Sequence, residues 1–142
     1  MHRLLAPWAD TLYATMRVAV GLSLALHGPV LLLGWWGGVP FVGASAPLLS
    51  VTGIGGTISL VGGLLVALGL FSSPSAFISS GMLAVGYVLR HAPHGWLPIA
   101  NGGENAVLYA FVLLYIAARG SGSLSVDGML RGTLRAHRAN PR

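Results

Sequence analysis

The sequence predicts an all-α protein, an integral membrane four-helix bundle that forms one transmembrane domain over residues 1–142. Hydrophobic residues make up 54% of the chain and charged residues only 8%, and the mean hydropathy is +0.75. A typical soluble domain has about 25% charged residues, so this composition cannot cover a surface that faces water. The apolar residues are also gathered into four stretches. Together these observations exclude soluble enzymes, disordered tails and disulfide scaffolds.

The first two predicted helices cover about residues 10–34 and 48–71. Only Arg17 and His27 interrupt the first, and the second begins just after Pro47 and ends at a serine-rich turn. Both exceed the roughly 20 helical residues that cross a hydrocarbon core of about 30 Å. Small residues at every fourth position of the second helix predict close contact with a neighbouring helix. These residues are Gly55, Ser59 and Gly63.

The third and fourth predicted helices cover about residues 75–92 and 102–119. Each contains an apolar core of 14 residues, which is about 21 Å of helix and falls short of the hydrocarbon thickness. If both helices span the membrane, they draw Arg90, His91 and Glu104 to its edge, where polar groups are unfavourable and often functional.

The placement of the arginines predicts the topology. Four crossings put both termini on one side with Arg3, Arg119 and the tail arginines, whereas Arg90 lies on the other side. By the positive-inside rule we expect both termini to be cytoplasmic in a bacterial inner membrane. The tail, residues 125–142, is expected to form a basic amphipathic helix that lies on the lipid surface or docks an acidic partner. Its apolar stripe is Val126, Met129, Leu130 and Leu134, and its basic residues include Arg131, Arg135 and Arg138.

Most polar residues of the predicted helices converge on the outer half of the bundle, and Arg17 alone belongs to the inner half. The outer cluster comprises His27, Arg90, His91, His94, Asn101 and Glu104. We expect the fourth helix to turn one face inward, the face shared by Glu104, Leu108, Phe111 and Tyr115. Arg17 is expected either to extend its guanidinium toward the headgroups or to bind a ligand.

Four interpretations of the outer cluster remain open. An ion pair between Arg90 and Glu104 with hydrogen-bonded histidines would be purely structural. Ion or proton transfer is a second, and ligation of a metal or haem by histidines a third, although no metal set is assigned because no helix carries ligands at binding spacing. A quinone pocket is the fourth. Its candidate donors are His27 and Arg90, and its candidate walls are Tyr87, Tyr109 and Phe111.

The chain has no cysteine, which excludes thiol redox chemistry and sulfur-ligated metal clusters. A redox role therefore needs a bound quinone or a partner redox subunit in the membrane or cytoplasm. The C-terminal arginines fit the positive-inside pattern better than a phosphate-contacting surface, so no nucleic acid partner is expected. No catalytic residue is assigned, and a homo-oligomer is compatible with the sequence.

Several of these motifs resemble the DoxX family of small bacterial membrane proteins. The resemblance rests on His27-Gly28, on LVGGLLVALGLFSSP from Leu60, on RGSGSLSVDG from Arg119, and above all on HAPHGWLPIANGGENAVLY from His91. It extends over nearly the whole chain, and its most specific part is the Asn-Gly-Gly-Glu stretch.

The resemblance implies four transmembrane helices and an association with membrane-bound oxidoreductases. Related DoxD-type subunits belong to a thiosulfate:quinone oxidoreductase, and some DoxX proteins form complexes with a sulfurtransferase and a superoxide dismutase. Arg17, His27, Asn101 and Glu104 match positions where members of that family usually carry the same residue types, whereas Ser59 stands where many members have a glutamate. We therefore expect a quinone-linked membrane subunit with a site formed by Arg17, His27, Arg90, His91, Asn101 and Glu104. The alternative is a non-catalytic anchor or assembly subunit of a larger complex.

Overall fold

A computed structural model describes residues 1–38 and 45–139 of the chain. Within these two ranges the protein is helical and contains no strand, which confirms the all-α prediction. The α-helices are α1 (His2–Leu5), α2 (Ala9–Leu33), α3 (Val51–Leu68), α4 (Ser72–Gly86), α5 (Pro98–Asn101), α6 (Glu104–Arg119) and α7 (Val126–Ala139). Residues 140–142 of the predicted tail lie outside the described residues, as do the side chains after residue 132.

The ends of the two long helices follow local rules of the backbone. The Ser50 hydroxyl accepts a hydrogen bond from the Gly53 amide at 3.0 Å and caps the start of α3. Gly34 and Gly69 end α2 and α3 with φ of 69° and 73°, a left-handed conformation that glycine adopts without a steric penalty. These signals are visible in the sequence, so the bounds of α2 and α3 differ by at most three residues from the predicted ones.

The third predicted helix changes its winding at its end. After α4, residues Tyr87–His91 form one π-helical turn, and Ala92–His94 a 3₁₀ turn. The π turn is wider than an α turn and re-aims the side chains that follow it. The short α5 and the glycines after it then lead into α6, a detour that the sequence pattern did not predict.

Two helical stretches in the described part of the chain are long and apolar enough to cross a membrane. They are Arg3–Leu33, of 31 residues, and Val51–Leu68, of 18 residues. The helices α4 and α6 have 15 and 16 residues and correspond to the two segments with short apolar cores.

The main helices pack in chain order: α2 on α3, α3 on α4 and α4 on α6, whereas α6 touches α2 only sparsely. The contact between α2 and α3 is the closest. A Cβ added at Gly63 would lie 2.5 Å from the Ala25 amide nitrogen, and one at Gly21 would lie 2.5 Å from that of Ala67. The predicted small-residue ridge is correct for Ser59 and Gly63, which are buried, but Gly55 is only half-buried. Its neighbour Gly56 faces α2 instead.

The inward face predicted for α6 is wrong. Glu104, Leu108, Phe111 and Tyr115 are all exposed in the structure. The buried residues of α6 are Leu113 and Ile116, which join a core with Tyr13, Leu24, Val66 and Ala76. The physical reason is that α6 packs mainly on α4, where the Ser80 hydroxyl donates to the Ala110 carbonyl at 2.8 Å.

Alternation of the helices produces two ends with different polar residues. The Arg17 end contains the start of α2, the end of α3, the start of α4 and the segment 119–125 that follows α6. The Asn101 end contains the end of α2, the start of α3, the segment 87–103 and the start of α6. The start of α2 and the segment after α6 therefore lie at the same end of the molecule.

Candidate functional site

Arg17 is buried at the Arg17 end of the molecule, and only 2% of its surface is exposed. Its Nη1 donates to the carbonyls of Val66 and Ala67 at 2.6 and 2.8 Å, and its Nη2 donates to the Leu124 carbonyl at 2.8 Å. Val66 and Ala67 belong to the last turn of α3, where backbone carbonyls lack the usual helical donors and the helix dipole attracts a cation. The Val66 carbonyl also accepts from the Gly69 amide at 3.1 Å. Arg17 therefore caps α3 and ties it to the segment after α6.

Further contacts hold the same segment against α2. The Tyr13 hydroxyl donates to the Gly120 carbonyl, and the Arg119 guanidinium lies 4.0 Å above the Tyr13 ring. Arg119 also forms an ion pair with Asp10 at 3.2 Å, and Ser123 donates to the other Asp10 oxygen at 3.1 Å. The expectation that the Arg17 side chain extends to the headgroups is wrong, because backbone carbonyls bind its two terminal nitrogens inside the protein, while its buried Nε has no partner among the described residues.

The predicted ion pair between Arg90 and Glu104 is absent in the structure. The Arg90 guanidinium donates to the Thr52 hydroxyl at the start of α3, and the ion pair found in the described ranges joins Asp10 and Arg119. Glu104 is exposed in the first turn of α6, where a carboxylate is favoured by the helix dipole. The π turn, which includes Arg90, directs that side chain toward α3 instead of α6.

Asn101 organises the loop at the opposite end. Its Nδ2 donates to the Gly95 carbonyl at 2.6 Å and to the Tyr87 hydroxyl at 3.1 Å, while its Oδ1 accepts from the Gly103 amide at 2.8 Å. His91 bonds the Asn101 carbonyl through Nδ1 at 3.1 Å and stacks on the Tyr87 ring, with centroids 5.9 Å apart. The structure thus brings His91 and Asn101 together as parts of one loop network.

His27 stands on α2, six residues before its end, which corresponds to roughly 9 Å along the axis. Its Nδ1 lies 2.8 Å from the Ser23 carbonyl, and a carbonyl only accepts, so Nδ1 carries a proton. In the neutral ring the exposed Nε2 is then an acceptor. The Tyr109 ring of α6 lies edge-on to the imidazole, with centroids 6.4 Å apart. His27 therefore lies at the sparse contact between α2 and α6, which we name the α2–α6 seam.

The metal interpretation lacks a ligand set in the described ranges, where no three His, Cys, Asp or Glu side chains come together in a way that could hold an ion. The Nδ1 atoms of His27, His91 and His94 each face a backbone carbonyl. The six predicted site residues do not form one pocket: Arg17 lies at one end, and the others are distributed over the seam, the loop and the edge of α3.

Sequence reasoning missed three residues that organise the two ends, namely Tyr13, Thr52 and Tyr87. Tyr87 is predicted only as a candidate pocket wall, yet both Tyr13 and Tyr87 use their hydroxyls to bind the backbone of another segment. A usable signal was present for Tyr87. It lies one helical turn before His91, a spacing that places the two rings side by side.

Comparison with known proteins gives one informative relative. The chain is 39% identical over 124 residues to an uncharacterized protein of Haemophilus influenzae, and the match covers 80% of this chain and 87% of the relative. No family model matches the chain, and no solved structure matches it.

Proposed function

The chain belongs to the same family as the uncharacterized Haemophilus influenzae protein, and we propose that it is a membrane subunit of a quinone-linked oxidoreductase system. In this proposal the quinone headgroup binds at the α2–α6 seam, against His27 and Tyr109. The resemblance to DoxX proteins, carried by the motifs given above, supports the same assignment.

The membrane part of the proposal is an integral four-helix bundle formed by α2, α3, α4 and α6. Apolar side chains are exposed along all four helices, as lipid contact requires. Helix α4 with its π turn covers 72–91, which is 20 residues and about the length that a crossing needs. The Arg17 end also carries Arg119 and Arg131, so by the positive-inside rule we expect that end in the cytoplasm.

The observation that carries the quinone assignment is the position of His27. In the proposed topology its imidazole is exposed to lipid about 9 Å below the outer end of α2. A polar ring at that depth is unfavourable unless a partner satisfies it, and intramembrane ionisable residues mark ligand or proton paths. A headgroup with a hydroxyl donor satisfies the Nε2 acceptor that the structure leaves open.

A quinone would supply two-electron, two-proton chemistry at this position. His27 is suited to the proton part: its Nδ1–H is held by the Ser23 carbonyl, which fixes the ring, and Nε2 can then accept a proton from a hydroxyl group in the seam. Tyr109 would supply an aromatic edge for the headgroup. The redox partner that delivers or removes electrons would be a separate subunit, because this chain carries no cysteine.

The binding test uses the purified protein in lipid nanodiscs, kept free of oxygen, with a short-chain benzoquinol and a short-chain naphthoquinol as probes, because these reduced forms carry the hydroxyl donors; binding is followed by quenching of tryptophan fluorescence. We expect saturable binding that His27→Ala weakens roughly tenfold, the loss of one hydrogen bond from the quinol hydroxyl to Nε2. His94→Ala is the matched control, since His94 lies in the loop and its Nδ1 also faces a backbone carbonyl. Equal binding by wild type and His27→Ala would contradict the proposal.

The topology has its own test. A reporter fused after Arg142 is expected to be active in the cytoplasm, and a single cysteine placed at Trp96 is expected to react with a membrane-impermeant thiol reagent from outside. Labelling of Trp96→Cys only after cell lysis would contradict the proposed orientation.

A non-catalytic anchor is the second candidate. It is favoured by the attachment of the start of α7 to the end of α3 at the Arg17 end. The Asp127 amide donates to the Gly69 carbonyl at 3.1 Å, so α7 starts in a fixed position against the end of α3. Its exposed Leu130 and Arg131 can then face a partner subunit. If anchoring is the function, removal of residues 126–142 reduces the native complex size in membranes, whereas His27→Ala leaves both complex size and activity unchanged.

A further inference from the structure

We propose that the Arg17 end carries a phosphate-binding site between the end of α6 and the first turns of α7. An open cavity of about 430 Å³ lies there, and Arg119 and Arg131 line it together with Ser121 and four glycines, Gly120, Gly122, Gly128 and Gly132. Among the described residues, no acidic side chain lines this cavity. The site lies at the opposite end of the molecule from His27, and its existence does not depend on quinone binding.

Two guanidinium groups give the cavity its charge. Arg119 is oriented by the Asp10 carboxylate, the Tyr115 hydroxyl and the Tyr13 ring, so its position is fixed before a ligand arrives. Asp10 neutralises part of its charge. Arg131 is exposed and has no ion-pair partner among the described residues, which leaves it available for an anion. Planar guanidinium groups bind phosphate oxygens in a bidentate way, so this pair favours a phosphate over a simple halide ion.

The glycines leave space for a ligand in the cavity, and the glycine-rich turn supplies backbone N–H donors. Gly128, Arg131 and Gly132 share one face of α7 because they are three and four residues apart. A Cβ added at Gly132 would meet nothing within 4 Å, so the cavity is open at that point. The Gly120 amide is bonded to the Ile116 carbonyl at 2.8 Å, whereas the amides of Ser121 and Gly122 have no acceptor in the described ranges. Free amides in a glycine-rich turn bind anions well.

The phosphate can come from a lipid headgroup or from a soluble compound, because both offer the same oxygens. In the proposed topology the cavity lies at the cytoplasmic surface of the membrane, where basic pockets between helices bind anionic lipid headgroups.

The test uses the full-length protein in detergent with two probes. Inorganic phosphate is titrated by calorimetry, and phosphatidate is compared with phosphatidylcholine by native mass spectrometry. We expect at least one phosphate probe to bind, with phosphatidylcholine bound more weakly. Binding of inorganic phosphate would assign a soluble ligand, whereas binding of phosphatidate alone would assign a lipid headgroup.

Two variants and a control make the test specific. Arg131→Gln removes one guanidinium from an exposed position, and Gly132→Leu fills the opening with a side chain that helices tolerate. Each is expected to weaken binding roughly tenfold, the loss of one hydrogen-bonded charge contact. Arg3→Gln removes the same charge outside the cavity and is expected to bind like wild type. The proposal is overturned if neither probe binds, if both variants bind like wild type, or if Arg3→Gln weakens binding equally.

Discussion

Two arginines, one at each end of the molecule, show how differently the same residue type is used. Arg17 is 2% exposed and donates to three carbonyls in two other segments. Arg90 is exposed and donates to the hydroxyl of Thr52. The Arg17 end is therefore held together by buried hydrogen bonds, whereas the Asn101 end and the adjacent α2–α6 seam keep polar groups at the surface. A charge buried in this way serves the architecture, and the surface groups remain available to ligands.

The largest expected effect is at Arg17. Substitution Arg17→Met removes the donor of the Ala67 and Leu124 carbonyls and leaves the Val66 carbonyl with only the Gly69 amide, and we expect a loss of about 3 kcal/mol in the free energy of unfolding. Arg17→Lys keeps the charge but replaces the planar fork by a single ammonium group, so its loss should be smaller. Thermal unfolding in detergent measures both. An exposed arginine, Arg3, provides the control variant Arg3→Met, and a wild-type melting curve for Arg17→Met would show that the cap is not structural.

The next largest effect is expected from helix packing. It tests how much the close contact between α2 and α3, which lies between the two ends, contributes to stability. Gly63→Ala places a Cβ 2.5 Å from the Ala25 amide nitrogen, so the helices must separate, at about 1–3 kcal/mol. Gly81 is the matched position, since a Cβ there meets nothing within 4 Å. Gly81→Ala is expected to stabilise α4 by about 0.5–1 kcal/mol. If both variants melt alike, the close approach of α2 and α3 has no energetic role.

A smaller, local effect is expected at Asn101. Asn101→Ala removes three side-chain hydrogen bonds from a half-exposed loop, which corresponds to about 1–2 kcal/mol of local stability. Hydrogen exchange should accelerate in residues 92–103 while the helices stay protected. Asn105→Ala, at an exposed position of α6, serves as the control. Faster exchange throughout α4 and α6 in Asn101→Ala would mean that the loop is part of the core.

The smallest effect concerns the exposed acids. Asp10→Asn breaks the ion pair with Arg119, whose side chains are 65% and 34% exposed, so we expect a slight decrease in melting temperature that disappears at high salt. Glu104→Gln should lower the melting temperature only slightly, through the lost attraction to the helix dipole, because Arg90 binds Thr52 instead. A marked destabilisation by Glu104→Gln would instead indicate that Glu104 forms the ion pair with Arg90 that the structure lacks.

The sequence was sufficient to predict the all-α class and the bounds of α2 and α3, because Gly34, Ser50 and Gly69 are strong local signals. It also placed Arg17 and the outer cluster at opposite ends, since depth along a helix follows from counting residues. The hydrogen-bond partners of the two arginines were harder to predict. A helix end can supply carbonyl acceptors, an alternative for Arg17 to the predicted headgroups or ligand, and a π turn shifts the direction of Arg90 without any clear mark in the sequence.

The face of α6 could not be predicted for a related reason. In a chain whose exposed surface is apolar, hydrophobic periodicity does not separate the exposed side of a helix from its packed side. Phe111 and Leu113 are equally apolar, yet only Leu113 is buried. The packed side is decided by the small residues of α4, such as Ser80, whose hydroxyl bonds the Ala110 carbonyl of α6.

The most direct test of the quinone assignment is photolabelling in membranes with a quinone that carries a photoreactive group on its ring. We predict that the label is recovered on peptides from α2 and α6 that contain His27 or Tyr109, and that an excess of unmodified quinone prevents labelling. Labelling spread over all helices, or unaffected by competing quinone, would contradict a specific site at the seam.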